Sequence, residues 1–528
     1  MEEEQQTKQL FKGALLLTMA GLISKVLSAG YRIPLQNITG DAGFYIYQQI
    51  YPFLGIALML SLYGFPAAIS KLVAEERKQG KKLSIGSFYL PVFILLIIIN
   101  VILFLILYLS AGTIAEWMGD ARLAASLHAA SFTFLVVPFS SAFRGLFQGL
   151  NDMKPTAVSQ IVEQLVRVSI ILASAFILVE QGGNIYEIGT GAGLASLLGI
   201  SASSLILLII WVKRKPWHQN KYVISWKYYF ETIFLYGFII CLNYMMLLLV
   251  QFADAFTLMP NLVEFGVTKQ DAIIWKGVFD RGQPLVQLGT VLGSSVALAL
   301  VPTVTRQRMD KNRDQLKVHV KSAWKFSLFF SSGAAAGLIA ILPYANVLLF
   351  ENSSGTASLQ ILALTILFAS LAMTVASILQ GLGYIRVTAV IVLLGLACKW
   401  LLNEWLVPIW GISGSAAATV FSVLIILLIN VWQLKRLLPE LKLMLFNWRS
   451  LIFSLAGMLI LLGVMDNTLG STLRVNARTD YAAYTVLACL AGGVVYTALF
   501  VRLNGFTNEE LRSFPLGELL VRFNKGGS

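Results

Sequence analysis

Charge is what this chain of 528 residues has least of: charged side chains make up only 13% of it. A soluble domain carries about a quarter, so a water-facing surface of ordinary size cannot be covered. That excludes a soluble enzyme and a disordered tail protein. Histidine and cysteine are scarce too, with three of each. Cys241, Cys398 and Cys489 lie far apart inside apolar runs, so neither a disulfide framework nor a paired-thiol metal site is expected. His128, His218 and His319 make no metal-ligand spacing. A phosphate-binding Gly-x-x-x-x-Gly-Lys-Ser/Thr loop is missing. Loops long enough for a catalytic domain are also missing, so no catalytic residue, metal or cofactor is expected. The start, Met1-Glu2-Glu3-Glu4, lacks the basic stretch and cleavage site of a signal peptide, so the first apolar run is expected to stay.

What the chain has instead is apolar length. Hydrophobic residues make up 57%, and the mean hydropathy is +0.75. A bilayer core of about 30 Å needs about 20 mostly apolar residues per helix. Runs of that size predict helices over 11–33, 44–70, 85–110, 123–149, 156–179 and 189–212. A second series follows over 228–252, 272–304, 323–350, 356–381, 386–407 and 412–434, and two more over 450–465 and 481–502. The expected fold is therefore all-α and integral to the membrane, with about 14 transmembrane helices. Most of the basic residues fall in alternate connections: Lys71 to Lys82, Lys213 to Lys227 (with Lys221), Arg306 to Lys321 (with Arg308 and Lys311) and Lys435 to Arg449 (with Lys442). The intervening loops hold Glu116, Asp120, Glu180, Glu187, Glu264, Asp271, Glu351 and Asp466. The positive-inside rule then predicts a multi-pass protein of the cell membrane with both termini cytoplasmic. The net charge of +13 is mostly this topology signal, and no nucleic-acid partner is expected.

The chain also repeats itself. Residues 148–158 match residues 380–390 at six of eleven positions, an offset of 232 that also pairs Pro52 with Pro284 and Arg167 with Lys399. Six helices return the chain to the side where it started, so the two repeats share one orientation around a central cavity, the parallel-repeat case among transporters. The expected division is a six-helix lobe at 1–215, a second at 216–440, and a terminal pair with tail at 441–528. In the tail Thr507-x-x-Glu510 reads as a capping box. It would open a short helix whose Leu511, Phe514, Leu519 and Phe523 suit a membrane surface.

Charges inside the spans are what topology does not explain, since each costs about 2.5–3.5 kcal/mol on insertion scales. Lys25 and Arg32, seven residues apart, share a face of the first helix. Asp41 follows in the next loop, and Asp254 is placed at the end of the seventh helix. The eighth carries Lys276 and Asp280 at pairing distance, then Arg281 and Pro284. Glu163 and Arg167 on the fifth read as a self-neutralising pair. Lys25, Arg32, Arg281 and Lys276 are thus the candidate substrate-binding cations of a basic cavity. Asp41, Asp254 and Asp280 are its acidic or gating residues, and Pro52 and Pro284 its bending points. Pro302 falls within a span as well.

These segments resemble those of the bacterial lipid II flippase family, in the multidrug, oligosaccharidyl-lipid and polysaccharide exporter superfamily, including its stage V sporulation protein B group. The likeness is carried by Ser24-Lys25-Val26-Leu27, Gly40-Asp41-Ala42, Asp280-Arg281-Gly282-Gln283-Pro284 and Leu300-Val301-Pro302. It implies a cavity lined by the first, second, seventh and eighth helices, with basic residues at Lys25, Arg32 and Arg281 and acidic ones at Asp41 and Asp280. Those basic residues would hold the pyrophosphate of a polyprenyl-linked sugar. The family typically has arginine where this chain has Lys25, and a further arginine in the second helix where it reads Tyr51-Pro52-Phe53-Leu54.

The expected function is translocation of an undecaprenyl-pyrophosphate-linked saccharide, of the peptidoglycan-precursor kind, to the outer leaflet by alternating access. The membrane potential or an ion gradient would drive it, and bilayer lipids and cell-wall synthesis proteins would be its partners. Three rivals stand beside it: a cation-coupled drug exporter, a non-transporting scaffold of envelope or spore assembly, and a lipid-carrier transferase.

Overall fold

The computed structural model describes residues 2–218, 224–291, 313–441, 447–470 and 478–512, with the single positions 293, 518 and 521. Lys221, Leu300–Pro302, Arg306, Arg308, Lys311, Lys442, Phe514, Leu519 and Phe523 lie outside the described residues. Among the described residues every regular element is helical. Eleven stretches are long and apolar enough to cross a membrane. Two of them, Leu16–Lys78 with 63 residues and Ile385–Leu437 with 53, are each long enough to hold two spans. The eighth expected span begins with Lys269–Asp280 and 282–291. Counting each long stretch twice gives thirteen spans among the described residues; the rest of the expected eighth, 294–304, lies outside them.

The contacts group the chain into two units. The first comprises Met1–Asp280 with Ile385–Pro408. Its helices are α1 (Glu2–Gly30), α2 (Arg32–Met59), α3 (Phe65–Lys78), α4 (Leu90–Leu109), α5 (Ala111–Trp117), α6 (Ala124–Ser131) and α7 (Thr133–Gly149). They are followed by α8 (Lys154–Glu180), α9 (Glu187–Arg214), α10 (Trp226–Phe230), α11 (Gly237–Tyr244), α12 (Met246–Glu264) and α13 (Lys269–Asp280).

One glycine makes the decisive turn of this unit. Gly40, inside α2, has φ 66° and ψ −177°, a region essentially reserved for glycine. On a straight helix Tyr31 and Tyr47 would stand about 24 Å apart, yet their hydroxyls are hydrogen-bonded. The chain therefore doubles back at Gly40, and the loop expected around Asp41 contracts to a single-residue turn. Asp41 follows it, accepting a hydrogen bond from Gln36 Nε2 at 2.9 Å. Residues Leu60–Gly64 then form a π-helical turn between α2 and α3, and Glu231–Tyr236 form another between α10 and α11.

Helices α8 and α9 pack through a small-residue stripe of Ala192, Ala195, Ser196, Gly199 and Ser203, all buried. A Cβ at Gly199 would stand 2.9 Å from the Glu163 carbonyl oxygen. Such stripes let membrane helices approach closely enough for side-chain hydrogen bonds. At Gly277 on α13 a Cβ would overlap the Asp41 carbonyl, so glycine is what lets α13 dock on the Gly40 turn.

The second unit comprises Arg281–Tyr384 and Ile409–Ser528. It contains α14 (Arg313–Phe350), α15 (Thr356–Gly381), the later part of α16 (Ile385–Leu437), α17 (Trp448–Met465), α18 (Arg478–Arg502) and α19 (Asn508–Arg512). Helix α16 is interrupted at Gly411, with φ 55° and ψ −136°, where two separate spans were expected. Phe329, Tyr496, Phe500 and Phe506 pack into one aromatic cluster. The expected capping box is formed: Glu510 N–H donates to Thr507 Oγ1 at 3.3 Å, and Thr507 N–H to Glu510 Oε2 at 2.8 Å. Glu510 also pairs with Lys325 at 2.6 Å, and Leu511 is fully buried.

Candidate functional site

Arg32 opens α2, eight residues before the Gly40 turn, and the reversal carries it back onto Tyr51. Its guanidinium carbon lies 3.9 Å from the Tyr51 ring centroid. The side chain is 0% exposed, and none of its three nitrogens makes a hydrogen bond of regular geometry with a described residue. A position over an aromatic face suits a planar cation, but it does not satisfy the N–H donors. Lys25, one helical face with Arg32, is half-buried.

Two ion pairs lie in the same unit. Lys276 Nζ donates to Asp280 Oδ2 at 2.7 Å, the i,i+4 pairing expected from sequence, with both groups buried. Lys276 therefore directs its charge onto Asp280. Lys399 Nζ meets Asp254 Oδ1 at 2.7 Å and Asn403 Oδ1 at 2.8 Å. Asn403 Nδ2 donates in turn to Asp254 Oδ1 at 2.8 Å and Thr257 Oγ1 at 2.7 Å. Lys276 and Asp280 lie near enough to act on the charge of Lys399. Asp254 is thus not at the end of its helix, as expected, but well inside α12, and it is 1% exposed. Helix α12 outlasts the apolar run because Leu258, Met259 and Leu262 continue its buried face.

The Glu163–Arg167 pair also needs correction, because a third member joins it. Glu163 accepts from Arg167 Nη2 at 2.5 Å and from Arg144 Nη2 at 2.7 Å. Arg144 is satisfied by Ser159 Oγ at 3.0 Å and Ser61 Oγ at 2.7 Å. The group carries one positive charge rather than none. Arg144 was legible only as a lone arginine in an apolar run. Asn403, a neutral residue in such a run, carried no signal.

In the second unit Arg281 is 0% exposed; its Nη1 donates to Asn352 Oδ1 at 2.8 Å, and its guanidinium sits 5.4 Å from the Phe350 centroid. Pro284 is buried in the first turn of the helix over 282–291, where proline costs no hydrogen bond. Pro52 lies within α2, whose departure from helical dihedrals is at Gly40.

The buried charge of the first unit can now be summed. Arg32, Arg144, Arg167, Lys276 and Lys399 face Glu163, Asp254 and Asp280 within the helices, an excess of two positive charges. Glu76 and Asp120 are buried too, but they pair with Lys81 and Arg122. Unneutralised cations enclosed by helices that cross a membrane are candidates for a functional site.

The fold is that of solved transporters. The chain aligns with a lipid II flippase MurJ in an inward closed conformation at TM-score 0.65 and 14% identity, covering 92% of this chain and 99% of that one. It aligns with an inward-facing multidrug resistance MATE transporter of the MOP superfamily at TM-score 0.61 and 14% identity, covering 82% and 99%. Among curated relatives, an uncharacterized membrane protein, YabM of Bacillus subtilis, is 40% identical over 524 residues, 97% of this chain and 96% of that protein. The lipid II flippase MurJ of Bacillus subtilis is 27% identical over 96% of this chain and 97% of its own length. Stage V sporulation protein B of the same organism is 25% identical over 98% and 100%. Residues 10–307 match the family described as polysaccharide biosynthesis protein. This is a multi-pass membrane protein with the fold of solved transporters of the MOP superfamily. It belongs to the polysaccharide biosynthesis protein family.

Proposed function

We propose that the chain flips a polyprenyl-pyrophosphate-linked saccharide from the inner to the outer leaflet of the cell membrane, with lipid II as the leading substrate. The observation that carries this reading is Arg32: a fully buried guanidinium over the Tyr51 ring whose nitrogens make no hydrogen bond of regular geometry with a described residue. A planar fork of N–H donors matches phosphate oxygens two at a time. A buried unsatisfied cation is costly, so occupation by an anionic headgroup would be strongly favoured. Arg281 is the second arginine assigned to the headgroup, and Lys25 adds positive field. The saccharide would travel through water while the polyprenyl tail stays in lipid. Both termini would face the cytoplasm. An inside-negative potential, worth about 2.3 kcal/mol per charge per 100 mV, would return the empty cationic site inward.

The charge pattern speaks against a carrier of cationic drugs on the same fold. Such a carrier needs carboxylates free to bind cargo, and Glu163, Asp254 and Asp280 are each held by lysine or arginine. Native mass spectrometry of the protein purified in mild detergent tests the proposal. A co-purifying polyprenyl-pyrophosphate saccharide, lost in Arg32→Ala and in Arg281→Ala, is expected. Ordinary phospholipid alone, even after adding lipid II, would overturn lipid II as the substrate.

A further inference from the structure

A second feature of the first unit borders the proposed headgroup site through Tyr51 and otherwise uses different groups. Tyr31, Tyr47, Tyr51, Gln164, Arg167 and Ser196 line a small cleft with room for about one water-sized sphere. The buried polar atoms left over around it are donors. Arg167 Nε, Gln164 Nε2 and Ser196 Oγ are all buried and find no hydrogen-bond partner among the described residues. The amide orientation follows from its neighbour: Gln164 Oε1 accepts from Arg167 Nη1 at 3.3 Å, which leaves its NH2 to donate elsewhere. The side chains are held in place. Arg167 is anchored through Nη2 to Glu163, and the small-residue stripe of α9 brings Ser196 against α8.

The charge around the cleft has the same sign as the donors require. Arg144 and Arg167 share the single carboxylate Glu163, leaving one positive charge, and Arg32 acts on the same three tyrosines from beside Tyr51. Buried donors that meet no acceptor are costly, and an uncompensated charge in the bilayer is more so. A water molecule would satisfy the donors but not the charge. A phosphate group, with four oxygens, exceeds the space.

We propose that a single small inorganic anion of chloride's size is held in this cleft by the Arg167 Nε–H, the Gln164 amide and the Ser196 hydroxyl. It neutralises the Arg144–Glu163–Arg167 group, so that the positive charge left in this unit is centred on Arg32. The inference concerns the resident ion and does not depend on which lipid is carried.

The test uses the full chain in mild detergent, exchanged into sodium gluconate, with sodium chloride or bromide added at constant ionic strength. The thermal unfolding midpoint should rise saturably with either halide. The rise should vanish in Arg167→Met and in Gln164→Leu. The milder Ser196→Ala should fold normally and weaken halide affinity about tenfold, the worth of one hydrogen bond. Crystals soaked in bromide should show its anomalous peak within hydrogen-bond distance of Arg167 Nε. Equal midpoints in gluconate and halide, or a halide effect unchanged in the variants, would overturn the proposal. So would a rise produced by inorganic phosphate or pyrophosphate but not by halide. The lipid that co-purifies is read separately, so failure here leaves the flippase reading standing.

Discussion

Asp254 and Lys399 stand 145 residues apart in sequence and 2.7 Å apart in space, each almost wholly removed from solvent. The offset of 232 makes Lys399 the counterpart of Arg167, which also binds a carboxylate. The two repeats thus place a buried cation at the same position of matching helices. They differ in the partner: Glu163 lies on the same helix as Arg167, whereas Asp254 comes from another.

Removing one member of that pair strands the other. Asp254→Asn or Lys399→Met alone should lower stability by about 3–5 kcal/mol. The double substitution should recover most of the loss. Thermal unfolding of the four proteins in one detergent reads this directly, and a double variant no better than the worse single one would show that the pair is not self-contained.

The triad predicts an order rather than a size. Arg144→Met leaves Glu163 with Arg167, a neutral pair, while Glu163→Gln leaves two buried arginines facing each other. Glu163→Gln should therefore be the more damaging, by unfolding midpoint and by yield of monodisperse protein.

Gly40→Ala should cost roughly 1–3 kcal/mol, because alanine is strained at this φ and ψ. It should also reduce retention of lipid-linked saccharide, since the turn is what sets Arg32 on Tyr51. Gly30→Ala, at a position with nothing within 4 Å of an added Cβ, is the control and should leave retention unchanged.

Arg32→Lys keeps the charge and removes the planar fork. Saccharide retention should fall below that of the unsubstituted chain yet exceed that of Arg32→Ala. Equal retention by lysine and arginine would reduce the role of Arg32 to field alone. Tyr51→Leu should resemble Arg32→Lys if the ring fixes the guanidinium plane.

Much of this architecture was legible because bilayer thickness leaves helix length little freedom. The expected spans 156–179 and 189–212 fall within α8 and α9. Thr507 and Glu510 announced a helix start because a capping box is local chemistry, complete within four residues. Local pairs were legible for the same reason, as Lys276 and Asp280 show. What stayed hidden was long-range. The partner of Lys399 depends on how α12 and α16 meet, and no spacing encodes that. Arg144 gives no local signal because its acceptors, Ser61, Ser159 and Glu163, come from other parts of the chain. Asp254 reads as a helix end because hydropathy falls where α12 turns a polar side inward.

The π-helical turn at Leu60–Gly64, one of four among the described residues, bears on how this sequence tolerates change. A π turn holds one residue more than the α turn it replaces, and each residue of an α-helix advances the azimuth by about 100°. Deleting a single residue between 60 and 64 would turn the π turn into an α turn and leave the phase of α3 unchanged, with Ile69 and Val73 still against Gly145 and Gly149. The same deletion at 67 or 68, inside the regular turns of α3, would rotate everything downstream by that angle and swing both side chains out of register with α7. The segment 60–64 is thus where this helix can lose a residue without losing its partner.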